Sequence, residues 1–185
     1  MNDMKGLLNQ HQQKYLLDLA RRSIQFYLKN QKRLKEKVKD PLLKEEIGAF
    51  VTLKIDHNLR GCIGYPLPFK SLYETIIDAA VQAATQDHRF SPITEEELLD
   101  MKIEISVLSL PTEIKDVNEI EIGKHGIIIS KGYNKGLLLP QVPVEWNWDL
   151  ETYLRHGCLK AGLQEDDWKK NARIEIFSAQ VFSEE

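Results

Sequence analysis

Ala49-Phe50-Val51-Thr52-Leu53-Lys54-Ile55-Asp56-His57-Asn58-Leu59-Arg60-Gly61-Cys62-Ile63-Gly64 is the stretch on which the reading of this chain turns. Residues 49–55 are rich in β-branched and aromatic side chains, the composition of a strand. Asp56-His57-Asn58 is turn chemistry, because short polar side chains bond their own backbone and tolerate left-handed angles. The hexapeptide 59–64 is therefore predicted to follow a turn at a strand end. It sets a cation and a thiol two residues apart, Arg60 and Cys62, with Gly61 between them and Gly64 two residues beyond. Glycine admits backbone angles closed to other residues and lets a second backbone or a ligand come close. The expectation is a positive φ, or a close backbone contact, at Gly61 or Gly64.

Two readings of Cys62 stand. A thiol beside a cation has a lowered pKa, and the thiolate is the nucleophile. Cysteine is also among the most buried residue types, a small core hydrophobe when it is not reactive. The neighbours Leu59 and Ile63 are apolar, and burial raises a thiol pKa. The irregularity expected of two glycines weakens any coupling to Arg60. The sequence thus predicts a thiol less reactive than a catalytic one.

The chain has 185 residues, enough for one domain or two closely joined subdomains with a real core. Its net charge of −3 gives no general attraction to nucleic acid. Two cysteines, Cys62 and Cys158, are too few for a disulfide framework. No N-terminal apolar segment resembles a signal peptide, and no apolar run approaches membrane-spanning length. A cytoplasmic protein with reduced thiols, away from membranes, is the expectation.

Outward from the central stretch, residues 11–31 read as a helix with Leu16, Leu19, Ala20, Ile24 and Tyr27 on one stripe. A basic run follows, with Lys29, Lys32, Arg33, Lys35, Lys37 and Lys39 against Glu36. It is read as a solvated helix end or linker without specific nucleic-acid binding, because a true footprint usually dominates the charge of its domain. Pro41 marks a break. Ser71 and Glu74 have capping-box spacing and open a helix to about Gln86, whose alanines predict close packing. Thr94 and Glu97 repeat the box for a short helix. Residues 101–110 alternate as a strand, with Ile103, Ile105 and Val107 on one face. Residues 126–130 and 136–139 read as paired strands about a turn. Asp149 caps a helix through Lys160, stopped by Gly162. Residues 172–181 read as a last strand. This order predicts an α+β fold, mainly antiparallel with flanking helices.

Chemistry-bearing patterns are sparse. The five histidines have no HxH or HxxxH spacing and there is no CxxC, so no metal is predicted. Neither a phosphate loop nor GxGxxG occurs, and no cofactor is predicted. His125 lies between Lys124 and Gly126 with Gly123 close by, either as a turn residue or as a side chain presented to a pocket. Arg60 and Arg89 have the planar fork that binds a carboxylate or phosphate bidentately, or else an ion-pair partner such as Asp87 or Glu104. Glu104 in mid-strand needs a partner if buried. Trp146 and Trp148 straddle Asn147 and read as packing filler rather than a platform for bases.

Leu59-Arg60-Gly61-Cys62-Ile63-Gly64 resembles the signature of the AMMECR1 domain family. Ala83-Ala84 with Asp87 and Arg89-Phe90, then residues 103–109, Gly123-Lys124-His125-Gly126, residues 138–142 and Lys160-Ala161-Gly162-Leu163 resemble later motifs of that family, in order. His88 and Ser91 stand where the family normally has proline. The resemblance implies a single α+β domain over residues 1–185, built of a larger and a smaller tightly packed subdomain that share a cleft near 59–64. It also implies, in prokaryotes, association with a Memo-like protein and a radical SAM protein, the AmmeMemoRadiSam set. It brings no defined reaction. The carried-over site is Arg60, Cys62, Arg89, Glu104, His125 and Gln141, with Gly61 and Gly64 as the backbone of the ligand-binding segment. Two functions follow as expectations. One is a binding or adaptor domain for a small anionic ligand or a partner's peptide or modified side chain. The other is a thiol enzyme with Cys62 as nucleophile and His125 or Glu104 as proton carrier.

Overall fold

In the computed structural model, which describes residues 8–184, the stretch 49–64 folds into a β-hairpin. Strand β1 (Ala49–Ile55) pairs antiparallel with β2 (Asn58–Tyr65). Asp56 and His57 form the turn with φ of 49° and 65°. Left-handed angles at both turn residues give the twist that lets two strands return side by side.

The hexapeptide follows the turn at the end of β1, as expected, and forms most of the returning strand. Neither Gly61 nor Gly64 has a positive φ, and their role is steric. A Cβ on Gly61 would lie 2.2 Å from the carbonyl oxygen of Ala83, and one on Gly64 would lie 2.4 Å from that of Ala49. The expected close backbone contact is present; the expected left-handed angle is not.

The chain divides into two compact units, one over Met1–Leu108 and Gln180–Glu185, the other over Ser109–Ala179. In the first unit, helix α1 (Gln10–Asn30) starts at Asn9, whose side chain and that of Gln12 satisfy each other's backbone N–H groups. It stops at Gln31 in a left-handed conformation. Its stripe Leu16, Leu19, Ala20 and Ile24 is buried. Helix α2 (Leu72–Thr85) buries Ile76, Ala79, Ala80, Ala83 and Ala84. Strand β3 (Met101–Leu108) pairs antiparallel with β1. The two helical stripes form one core with Ala49, Val51 and Leu53 of β1 and Ile103, Ile105 and Val107 of β3. Small side chains on α2 are what allow its backbone to reach Gly61.

Two capping boxes read from the sequence take other forms. The Ser71 hydroxyl bonds the Glu74 carboxylate directly and makes no bond to the helix backbone. Residues 95–100 are turns rather than a short helix. Glu97 accepts from the Thr94 N–H as a box requires, but its carboxylate is also drawn to Arg60.

In the second unit, β4 (Thr112–Ile114) and β5 (His125–Lys131) both pair antiparallel with β7 (Arg173–Ser183). Strand β5 pairs on its other side with β6 (Asn134–Leu138). A four-residue helix α3 (Val142–Glu145) precedes α4 (Leu150–Lys160), whose cap Asp149 accepts from the Thr152 N–H at 2.8 Å. Tyr153, Leu154 and Cys158 of α4 pack on Ile127 and Ile129 of β5. The fold is α+β, with antiparallel pairing in both units.

Gly61→Ala is expected to destabilise the protein by about 2 kcal/mol, the scale of overpacking against atoms that cannot yield. Chemical denaturation of the variant beside the parent chain measures it.

Candidate functional site

The pairing registers put Cys62, Thr52 and Glu104 in one row across β2, β1 and β3, with Thr52 opposite both others. Alternation turns this row away from the helices, because Leu53 belongs to the helix-facing core and Gly61 meets Ala83. The Thr52 hydroxyl donates to Cys62 Sγ at 3.2 Å. Glu104 has the partner that its mid-strand position demands: Lys54 Nζ donates to its Oε2 at 2.9 Å. Lys54 and Glu104 also border a polar cavity of about 380 Å³, with Asp56, His57, Asp100 and Ser183.

The Cys62 backbone N–H donates to Asp87 Oδ2 at 2.9 Å. Asp87, only 4% exposed, also receives the Arg89 fork: Nε to Oδ1 at 2.9 Å and Nη2 to Oδ2 at 2.7 Å. The Arg89 side-chain bonds hold the Asp87 carboxyl well below the usual carboxylate range, helped by the Cys62 N–H. Burial pushes the Cys62 thiol up, against the lowering effect of the Thr52 hydroxyl and the Arg89 charge. The predicted Arg89–Asp87 pair is present.

Arg60 has a partner outside the sequence reading. Its Nε donates to Glu97 Oε1 at 2.8 Å and Nη2 to Oε2 at 3.0 Å. Nη1 donates to the Ser91 carbonyl at 2.8 Å. The guanidinium thus ties β2 to the loop that follows α2. Arg89 is less committed: its side chain is half exposed, and among the described residues its Nη1 has no hydrogen-bond partner.

His125 and Gln141 belong to the second unit. His125 opens β5, and its Nδ1 accepts from the Glu121 N–H at 3.1 Å, which places the proton of the neutral ring on Nε2. Gln141 stands at the start of α3, its Oε1 buried and without a partner among the described residues. Tyr153 of α4 joins the segments that carry these two residues. Its hydroxyl lies 3.2 Å from the carbonyls of His125 and Leu138 and 3.3 Å from that of Leu139. Trp146 is not filler: it is 68% exposed. It stacks on Trp148, which stacks on His156 at 3.9 Å between ring centroids.

Among the described residues no group of three or more His, Cys, Asp or Glu side chains is placed to hold a metal ion. Among them no helix is long and apolar enough to cross a membrane. Both cysteines are free.

An α+β chain with an Arg-Gly-Cys-Ile-Gly edge strand held by a buried aspartate has clear relatives. The AMMECR1 family profile matches residues 17–182, and the chain belongs to that family. Protein MK0488 of Methanopyrus kandleri is 48% identical over 181 residues, covering 92% of this chain and 87% of that one. A protein of Aquifex aeolicus is 49% identical over 146 residues, covering 75% of each. The crystal structure of the uncharacterized protein PH0010 from Pyrococcus horikoshii superposes with a TM-score of 0.88 at 43% identity, covering 92% of this chain and 90% of that one.

Two substitutions probe the geometry. Asp87→Asn removes the charge that Arg89 answers and is expected to cost about 2–3 kcal/mol at neutral pH. The Asp87 pKa is depressed in the folded state, so its stabilisation is present above the ordinary carboxylate value of about 3.9 and fades as pH falls below it. The gap between parent and variant in denaturant midpoint should therefore narrow on acidification. Tyr153→Phe leaves carbonyls of the His125 and Leu138–Leu139 segments without their donor. A loss of about 1 kcal/mol in the same assay is expected.

Proposed function

We propose that the protein is a binding or adaptor domain rather than a thiol enzyme. Its ligand is a small anionic molecule, or a peptide or modified side chain of a partner. It acts in the cytoplasm with a Memo-like protein and a radical SAM protein. The observation that carries the non-enzymatic reading is the setting of Cys62. Its sulfur receives a hydrogen bond from the neutral hydroxyl of Thr52, and burial raises its pKa. The carboxylate of its row, Glu104, is engaged with Lys54. A nucleophilic cysteine needs a lowered pKa or an adjacent base to generate thiolate at neutral pH.

The anionic character of the ligand rests on Arg89. A guanidinium fixed by one carboxylate and still presenting donors to solvent is a pre-oriented site for a second anion, with little rotamer entropy left to lose. Arg60 is excluded from that role by its bonds to Glu97 and Ser91.

The test is the pH dependence of iodoacetamide labelling, read at the Cys62 and Cys158 peptides separately by mass spectrometry. Slow labelling of Cys62 with an apparent pKa above the reference value of about 8.5 is expected. Rapid labelling with an apparent pKa well below that value replaces the adaptor reading with the thiol enzyme.

A further inference from the structure

The basic run after α1 does more than end a helix. Residues 33–40 form neither helix nor strand, and from Leu34 to Asp40 half-buried and exposed residues alternate. Leu34 and Val38 pack on the first unit's core. Glu36 receives Arg22 Nη1 at 2.8 Å. Asp40 accepts from Gln12 Nε2 and from the Leu42 N–H, both at 2.9 Å. Lys35, Lys37 and Lys39 are exposed, and among the described residues none has a salt-bridge partner. The segment therefore turns its acids inward, where they are already answered, and presents three unanswered cations on its exposed side.

A cavity of about 190 Å³ lies beside this segment. Tyr15, Val38 and Leu43 line it with the polar His11, Gln12, Lys37, Lys39 and Asp40, the last already bonded to Gln12. Pockets for drug-sized ligands run to about 300 Å³ and more, so this one suits a single side chain better than a whole small molecule.

We propose that this face receives an acidic peptide segment of a partner protein, with one apolar side chain of that segment seated between Tyr15, Val38 and Leu43. Charge complementarity selects the partner's composition, and the cavity supplies the anchor that a purely electrostatic contact lacks. A single-stranded nucleic acid fits less well. Its sequence-tolerant sites combine cations with exposed rings on which bases stack, whereas Tyr15, the large aromatic ring of this cavity, is half-buried. This surface extends the adaptor reading to residues that exclude Cys62, so thiol labelling and peptide binding fail independently of each other.

The experiment is fluorescence anisotropy with a short labelled peptide of aspartate and glutamate carrying one central leucine. Saturable binding is expected, weakening about tenfold or more between low and high salt. A similar loss is expected in the K35E/K37E/K39E variant, with the neutral K35Q/K37Q/K39Q variant intermediate and the melting temperature of each unchanged. Replacing the peptide's leucine with serine should weaken binding about fivefold or more, the worth of one apolar side chain partly buried. Absence of saturable binding, equal affinity of the lysine variants, or indifference to the leucine overturns the proposal. So does an oligothymidine of equal length that binds as tightly as the peptide.

Discussion

The first unit depends on one buried carboxylate. Strand β2 has an outer edge, and an edge amide needs an acceptor if water is to be kept from it. Asp87 supplies that acceptor to Cys62 from the first turn beyond α2. A carboxylate so enclosed is tolerable only if its charge is answered, and Arg89 answers it from two residues further on with both prongs of its fork. Arg60, on the same strand, then binds Glu97 and the Ser91 carbonyl. The loop that leaves α2 is thereby lashed to β2 near each of its ends. The path of that loop, the exit of α2 and the edge of the sheet are one coupled arrangement, centred on a single side chain.

What was legible in the sequence was what repeats. The stripes of α1 and α2 and the alternation of β3 are periodic, and the fold class follows from their order. What was not legible depends on partners distant in sequence. Gly61 and Gly64 read as devices for unusual angles, yet both lie within β2 without a positive φ, Gly61 beside a register shift at Arg60, and an α2 carbonyl and a β1 carbonyl occupy the space their side chains would need. Thr94 and Glu97 have the spacing of a helix start, but a cation from β2 competes for the carboxylate, and a local propensity worth about 1 kcal/mol yields to it. Strand β4 and helix α3, with three and four residues, are too short to carry a period. Of the candidate site, the Arg89–Asp87 pair was readable because it is local. Thr52 beside Cys62, and Tyr153 beneath the His125 and Leu138–Leu139 segments, come from register and packing that no spacing announces.

The hexapeptide can now be divided by task. Arg60 anchors a loop, Gly61 admits a helix backbone, Gly64 admits the neighbouring strand and the Phe50 ring, and the Cys62 amide serves the buried aspartate. A motif of this density need not encode a reaction, since architecture employs most of its positions. Among the described residues, polar capacity left unused by these bonds includes Nη1 of Arg89 in the first unit and the buried Gln141 Oε1 and Trp168 Nε1 in the second. Recognition uses such groups, because donors and acceptors already fixed in place lose little entropy when a ligand completes them. The thiol has the opposite circumstances. Burial favours its protonated form against the smaller opposing effect of the Thr52 hydroxyl, and the carboxylate of its row is engaged by lysine. The guanidinium of Arg89, fixed on Asp87 through its side chain, and the protonated thiol of Cys62, whose backbone bonds the same carboxylate, are the observations on which the proposed binding role rests.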